Sequence, residues 1–257
     1  AYDSGVDDEA AKQIEVAEKH LFDLAEKGVS EGGFNTFKTS LTEAVLAAEA
    51  AYKRDARLTG VTSGLTDLDE LLGGMHRSDL IILAGRPSMG KTALATNIAF
   101  NAAKARHLSG ESDGAVVGFF SLEMSGEQLA TRILSEQSEI SGHKIRRGMV
   151  SSDDFHNIAR VARDLEEMPF FIDDTPALSI GAIRTRARRL KRQHGLSMLV
   201  IDYLQLIKAS SAKEGRVQEV TEITQGLKAL AKDLDIPVLA LSQLSRQVES
   251  RDDKRPQ

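Results

Sequence analysis

The sequence contains no cysteine and no tryptophan, and few aromatic residues of any kind. Without cysteine the chain can form neither disulfides nor thiolate metal sites, a composition that fits a reducing cytoplasm. Aromatic residues make up only 5% of the chain, so base stacking is a poor candidate for its main contact with a nucleic acid. Apolar runs long enough to span a membrane are also missing, as is a secretory leader, and we expect no membrane association.

An excess of positive charge is missing too, since the formal net charge is -5. Bulk electrostatics therefore do not indicate a nucleic-acid binder, although a ring-shaped assembly can enclose a local basic channel. Any contact with a strand should run through its phosphates. The 257 residues allow one large domain and an accessory piece. Because the chain starts at Ala1 without a Met and has a polar end at Gln257, we expect a piece of a longer protein.

Two helical segments precede the main domain. The first carries an apolar stripe over residues 14–24, and a loose Gly-containing stretch follows at 28–37. The second, over residues 40–54, is predicted to open with a capping box at Ser40–Glu43. Its apolar face either packs on its own domain or, on a flexible tether, docks on a neighbouring subunit.

From Gly60 onward, short apolar runs alternate with amphipathic stretches. The predicted strands are Leu80–Ala84, Ala115–Phe120, Phe170–Ile172, Met198–Ile201 and Val238–Leu241. The predicted helices lie near residues 91–106, 126–138, 152–167, 179–194 and 218–235. Buried strands separated by helices indicate an α/β fold with a mostly parallel twisted sheet. The active site of such a sheet should lie at the carboxyl ends of its strands.

A phosphate-binding motif of the form G-x-x-x-x-G-K-T follows the first predicted strand directly and precedes a helix. The candidate phosphate ligands are Gly85, Arg86, Pro87, Ser88, Met89, Gly90, Lys91 and Thr92. The backbone N–H groups of the motif and the amino terminus of the following helix suit the phosphates of ATP. Lys91 would reach the β- and γ-phosphates, and the Thr92 hydroxyl would bind Mg²⁺. The alternative is a chance Gly-rich turn before a helix.

Three further side chains come at strand ends. Asp202 closes the run Met198–Ile201 and is the predicted second Mg²⁺ ligand. Glu123 follows another strand and is the candidate base that orients the attacking water, unless it simply caps the helix beginning near Ser125. Gln243 ends the last strand, where it either contacts the γ-phosphate or is an ordinary strand-end residue.

Basic residues gather in two places. One helix carries Arg184, Arg186, Arg188, Arg189, Lys191 and Arg192. A solvated helix face is the preferred interpretation there, with a DNA contact or a subunit salt bridge as the alternative. The polar loop after Asp202 contributes candidate DNA phosphate contacts at Lys208, Lys213 and Arg216.

Together these blocks resemble the RecA-like domain of bacterial replicative DNA helicases of the DnaB family. The blocks that carry the resemblance are Gly85–Thr92, Phe120–Met124, Ile201–Leu206 and Leu241–Leu244. The resemblance implies a homohexameric motor that hydrolyses ATP with Mg²⁺ and translocates 5′ to 3′ on single-stranded DNA to unwind the duplex at the replication fork. It also implies primase and a helicase loader as partners, and a cytoplasmic, nucleoid-associated location in a bacterium.

The same resemblance divides the chain. Residues 1–38 would be the tail of an amino-terminal helical domain with a flexible tether, and 39–57 a linker helix that docks on a neighbouring subunit. Residues 58–257 would be a P-loop ATPase domain, incomplete at its carboxyl terminus. In the family, the arginine finger and the main DNA-gripping loop lie downstream of the segment matched by Asp253–Pro256, so no residue here is assigned to either.

Three rival functions share parts of the pattern. A recombinase or clock-type ATPase on the same fold would form filaments or bind protein, but the block Asp202–Gln205 and the linker helix argue against it. A nucleotide-gated assembly module would bind ATP and oligomerise without DNA-stimulated turnover. A small-molecule kinase is disfavoured because no acceptor-substrate lid is evident.

Overall fold

The structure is a computed structural model that describes residues 34, 36–53, 58–109, 113–208 and 215–244. The chain divides into two units after Arg54, and each is described by itself. The predicted first helical segment, at 14–24, lies outside the described residues.

Helix α1 spans Phe37–Lys53 and begins earlier than predicted. The Thr36 hydroxyl accepts a hydrogen bond from the Thr39 N–H at 3.3 Å, as an N-cap side chain does. Ser40 lies within the helix, and its N–H donates to the Thr36 carbonyl at 3.2 Å. The predicted capping box at Ser40–Glu43 is therefore wrong, because Thr36 caps the helix about one turn before it.

The second unit contains one sheet of five parallel strands in the order β1-β5-β4-β2-β3. The strands are β1 (Leu80–Gly85), β2 (Val117–Ser121), β3 (Phe170–Asp173), β4 (Met198–Asp202) and β5 (Val238–Gln243). All five predicted strands are confirmed, with ends shifted by one or two residues. The carboxyl end of each strand points to the same edge of the sheet, which is where the candidate site residues were predicted.

Helices connect the strands. They are α2 (Thr66–Leu72), α3 (Lys91–Ser109), α4 (Gly126–Ser138), α5 (Gly142–Arg147), α6 (Ser152–Leu165), α7 (Ile180–His194) and α8 (Arg216–Leu234). The five predicted helices of this unit are α3, α4, α6, α7 and α8, and each is confirmed. The sequence interpretation missed α2, α5 and a 3₁₀ turn at Leu204–Leu206, because elements this short show no helical periodicity.

The sheet is covered on both faces. Strand β4 illustrates this: Leu199 and Ile201 pack into the cluster formed with α7 and α8, whereas Met198 and Val200 pack against α3 and α4. Both faces of β4 are thus removed from water, which explains its continuous apolar run. Within the described ranges, no helix is both long and apolar enough to cross a membrane.

Candidate nucleotide site

The phosphate-binding motif forms a tight loop between β1 and α3. Ser88 and Gly90 have positive φ angles of 63° and 82°, and such residues let successive backbone N–H groups turn toward one concave surface. A Cβ atom at Gly85 would lie 3.1 Å from the Lys91 side chain. The Lys91 ammonium donates to the Arg86 carbonyl at 3.2 Å, so it lies folded across its own loop. The loop and Leu244 line a pocket of about 360 Å³.

Asp202 and Thr92 meet across the base of this loop. Asp202 is only 1% exposed, and the Thr92 hydroxyl lies near enough to its carboxylate to lower the pKa. The Asp202 Oδ2 atom is buried without a hydrogen-bond partner. Burial raises the pKa of Asp202 above its ordinary value, and the charge of Glu123 adds to this, while Thr92 and Lys91 act in the opposite direction. A buried oxygen with no partner beside a hydroxyl is a suitable pair of ligands for a hard cation.

Glu123 reaches the site from β2. Ser121 pairs with Asp202 across the β2–β4 ladder, and the Leu122 N–H donates to the Asp202 carbonyl at 2.8 Å. The buried Ser121 hydroxyl donates to the Met124 carbonyl at 2.7 Å and closes the turn that carries Glu123. The Glu123 side chain is exposed at the sheet edge.

The alternative interpretation of Glu123 as a helix cap does not hold. Ser125 caps α4: its hydroxyl accepts from the Gln128 N–H, and the Gln128 side chain accepts from the Ser125 N–H. Both positions of a capping box are therefore filled without Glu123. The carboxylate of Glu123 is left available at the strand ends.

Strand β2, which precedes Glu123, does not neighbour β1. Strands β5 and β4 lie between them, because the chain first crosses to the far half of the sheet and returns only with β5. Glu123 therefore approaches the phosphate loop from beyond Asp202 rather than from a neighbouring strand.

Gln243 ends the strand that does neighbour β1. It pairs with Gly85 in the β1–β5 ladder, and the next residue, Leu244, donates its N–H to the Gly85 carbonyl at 3.0 Å. The Gln243 side chain is exposed. The last residue of β5 is thus in register with the first residue of the phosphate loop.

Two residues at this edge were not predicted. Arg132 of α4 is half-buried and close enough to Asp202 for its charge to lower the pKa of that carboxyl. Gln205, in the 3₁₀ turn after β4, forms hydrogen bonds with the end of β5. Arg132 looks like any helix arginine, and Gln205 lies in the block Ile201–Leu206 that carries the family resemblance but shows no role there, so folding alone reveals what each residue contacts.

The candidate DNA contacts are described only in part. Lys208 is exposed, and its N–H donates to the Leu178 carbonyl at 2.9 Å, so its backbone is held beside the start of α7. Arg216 begins α8. Lys213 lies outside the described residues, and nothing in the described ranges brings the three residues together.

The basic helix α7 has the predicted solvated face, and three of its cations also have partners within the chain. Arg186 pairs with Asp173 at 2.7 Å and Arg188 with Asp233 at 2.8 Å, while the Lys191 ammonium donates to the Leu234 carbonyl. These three cations tie α7 to the end of β3 and to α8. The predicted solvated face is confirmed, since Arg186 and Arg188 are exposed, and its cations also form ion pairs within the chain.

The fold and this site define a class. A parallel α/β sheet with a phosphate loop after one strand, and an aspartate at the end of another beside the loop's threonine, is a P-loop NTPase domain of the RecA-like type. The family model described as the DnaB-like helicase C terminal domain matches residues 60–257. The chain therefore belongs to the DnaB helicase family and contains its carboxyl-terminal ATPase domain.

Similar proteins agree with this assignment. The chain is 54% identical to the replicative DNA helicase DnaB of Rickettsia conorii, over 100% of this chain and 52% of that protein. It is 43% identical to the replicative DNA helicase DnaB of Geobacillus stearothermophilus, over 97% of this chain and 54% of that protein. The chain thus spans about half the length of these curated relatives.

Two solved structures share the fold. One is described as an ATPase domain and matches with a TM-score of 0.78 at 34% identity, covering 87% of this chain and 76% of that one. A structure described as a DnaB-like replicative helicase and its interactions with primase matches with a TM-score of 0.74 at 31% identity. That match covers 96% of this chain and 61% of the other.

Proposed function

We propose that this chain is the ATP-hydrolysing motor part of a replicative DNA helicase that moves 5′ to 3′ on single-stranded DNA and unwinds the duplex. The observation that carries the proposal is the gathering of the phosphate loop, the Thr92–Asp202 pair, Glu123 and Gln243 at one sheet edge. Membership of the DnaB helicase family supports DNA as the strand along which the motor translocates. The location that follows is the bacterial cytoplasm, at the nucleoid.

The residues present fit Mg-ATP. The backbone N–H groups of Gly85–Thr92 would hold the phosphates, with the α3 amino terminus adding a favourable dipole. The buried Asp202 oxygen without a partner and the Thr92 hydroxyl beside it would hold Mg²⁺. The ion bound there supplies positive charge to the phosphates.

The side chains around the phosphates divide the remaining work. Lys91 would exchange its bond to the Arg86 carbonyl for the β- and γ-phosphates, where a cation offsets developing negative charge. Glu123 would accept a hydrogen bond from the attacking water, orient it and take its proton. The Gln243 amide would donate to the γ-phosphate and so sense whether that group is present.

The assembly proposed is a homohexameric ring with DNA in its centre. Leu41, Val45 and Tyr52 lie four and seven residues apart in α1, which gives one apolar helix face. We assign residues 39–57 to a linker helix that docks this face on a neighbouring subunit, residues 1–38 to the tail of an amino-terminal domain, and 58–257 to the motor.

The expected contacts with DNA phosphates come from Lys208, Lys213 and Arg216. Primase and a loader are the expected protein partners, and one similar structure is described with primase.

The test compares wild-type protein with Glu123→Gln, which keeps the shape of the side chain and removes the base. ATP turnover is measured with and without a single-stranded oligo-dT, and mass in solution is measured with ATP. Hexamers whose DNA-stimulated turnover falls by roughly a hundredfold or more in the variant would support the proposal. ATP binding and assembly without turnover would instead favour a nucleotide-gated assembly module, provided that turnover stays absent when the wild type includes the downstream segment in which the family carries its arginine finger. Full turnover in the variant would exclude Glu123 as the base.

A further inference from the structure

Gln205 makes an unusual set of contacts with the end of β5. Its Oε1 accepts from the Gln243 N–H at 3.3 Å, and its Nε2 donates to the Gln243 carbonyl at 3.1 Å. The same Nε2 lies 3.1 Å from the Ser242 hydroxyl, to which it also donates. One side-chain amide therefore satisfies both backbone groups of the residue proposed to sense the γ-phosphate.

This pairing takes the place of a missing ladder partner. On one side, β5 pairs with β1 as far as Gly85 and Gln243. On the other side, its pairing with β4 ends at Ile201 and Ala240, because the chain leaves the sheet after Asp202. An amide that accepts from the N–H and donates to the C=O of one residue reproduces what a neighbouring strand would offer. Gln205 thus extends the ladder past the point where β4 ends.

The contact between Gln205 and Gln243 belongs to a continuous chain of hydrogen bonds that runs from the phosphate loop through the end of β5 to the turn before Lys208. The phosphate loop holds the far side of β5 through the bond from the Leu244 N–H to the Gly85 carbonyl, 3.0 Å long. On the near side, Gln205 belongs to a turn anchored in the core by Leu204 and Ile207, which are 1% and 6% exposed. The residue after Ile207 is Lys208, where the candidate DNA segment begins.

We infer that Gln205 is a positioning residue that fixes Gln243 against the phosphate loop and couples it to the candidate DNA contact Lys208, at the end of the same turn. The inference rests on the proposed function and adds the residue through which DNA and the γ-phosphate influence each other. A shift of the turn that ends at Lys208 would move the Gln205 amide. The amide would in turn move Gln243, because a pair of hydrogen bonds joins the two residues. Such a coupling must act in both directions.

The experiment uses Gln205→Ala and Gln205→Met in the full chain. Met keeps the length and bulk of Gln without its polar atoms. The Met variant therefore shows whether a loss of DNA stimulation in the Ala variant reflects only misfolding, and a thermal melt checks the folding of both. ATP turnover is measured against ATP concentration, with and without oligo-dT. We expect both variants to lose the stimulation by DNA while KM for ATP stays within about twofold of wild type. Gln193→Ala, an exposed glutamine of α7, is the matched control and should respond to DNA like wild type.

A double-mutant cycle with Gln243→Ala separates coupling from general damage. If Gln205 acts by placing Gln243, removing Gln205 in the Gln243→Ala background should cause little further loss. Additive losses would overturn the inference, as would retained DNA stimulation or a raised KM for ATP with the stimulation intact. A wild-type protein whose turnover ignores DNA even with the downstream segment included would contradict the proposed function itself, and the inference with it.

Discussion

At the scale of single residues, Ser121 shows how a buried hydroxyl can govern a neighbour that does chemistry. It is 1% exposed, and its bond to the Met124 carbonyl spans the turn on which Glu123 stands. Glu123 is part of this turn, so the direction of its side chain depends on how firmly the hydrogen bond of Ser121 closes the turn. A base that orients water needs placement within fractions of an ångström.

Ser121→Ala should therefore lower kcat for ATP by roughly tenfold with little change in KM, and lower the free energy of unfolding by about 1 kcal/mol. The measurements are steady-state kinetics and urea unfolding. Ser138→Ala is the matched control, because Ser138 is also buried but its hydroxyl has no partner. An unchanged kcat in Ser121→Ala would mean that the capping box at Ser125 holds the turn unaided.

At the scale of secondary-structure elements, the sequence predicted the features that a local pattern determines. It missed the features that depend on contacts between residues far apart in the chain. Every strand was predicted from its apolar run, which in β2 and β4 reflects burial on both faces. The phosphate loop was predicted because backbone geometry dictates its spacing. The strand that neighbours β1 could not be predicted from the sequence, since the order of strands in a sheet depends on the crossover connections and not on the local sequence pattern. Arg132 and Gln205 were missed for the same reason: each meets its partner across many residues of sequence.

The contact between β3 and α7 is another such case. Strand β3 lies at an edge of the sheet, and Arg186 donates to both Asp173 oxygens, at 2.9 and 2.7 Å, and to the Thr175 hydroxyl at 2.7 Å. Burial alone would raise the pKa of Asp173, but the bonds from Arg186 and Thr175 outweigh it, and the pKa lies below its usual value. Asp173 therefore stabilises the fold while it is charged.

The sign of the pH dependence follows from this. A lowered folded-state pKa gives stability that is present above the unfolded value, about 3.9, and lost as the pH falls through the folded value. Arg186→Met should cost about 1 kcal/mol at pH 7, since the pair is half-exposed, and the difference from wild type should shrink below about pH 4. Urea unfolding across pH measures it, with the exposed Arg189→Met on the same helix as control. A difference that is constant with pH would show that Arg186 stabilises by packing alone.

At the scale of the whole molecule, the proposed function requires the chain to bind a polyanion while carrying a net charge of -5. Much of its positive charge on α7 is already used within the fold, by Asp173 and Asp233. What remains for DNA is local, and Lys208 is exposed at the point where the segment after Asp202 leaves the core. A ring can collect one such cation from each subunit around a central strand, which makes a channel basic without making the protein basic.

Lys208→Gln should therefore weaken DNA binding most at low salt. For each phosphate that the variant no longer neutralises, the slope of log K against log salt should become shallower by about 0.7, the value for single strands. Fluorescence anisotropy of labelled oligo-dT over a salt series measures the slope, in the presence of a non-hydrolysable ATP analogue. Lys104→Gln makes the same change of charge at an exposed position of α3, so it controls for net charge alone. Equal slopes for the two variants would mean that Lys208 acts only through the overall field, and the DNA contact would then have to be sought elsewhere on the ring.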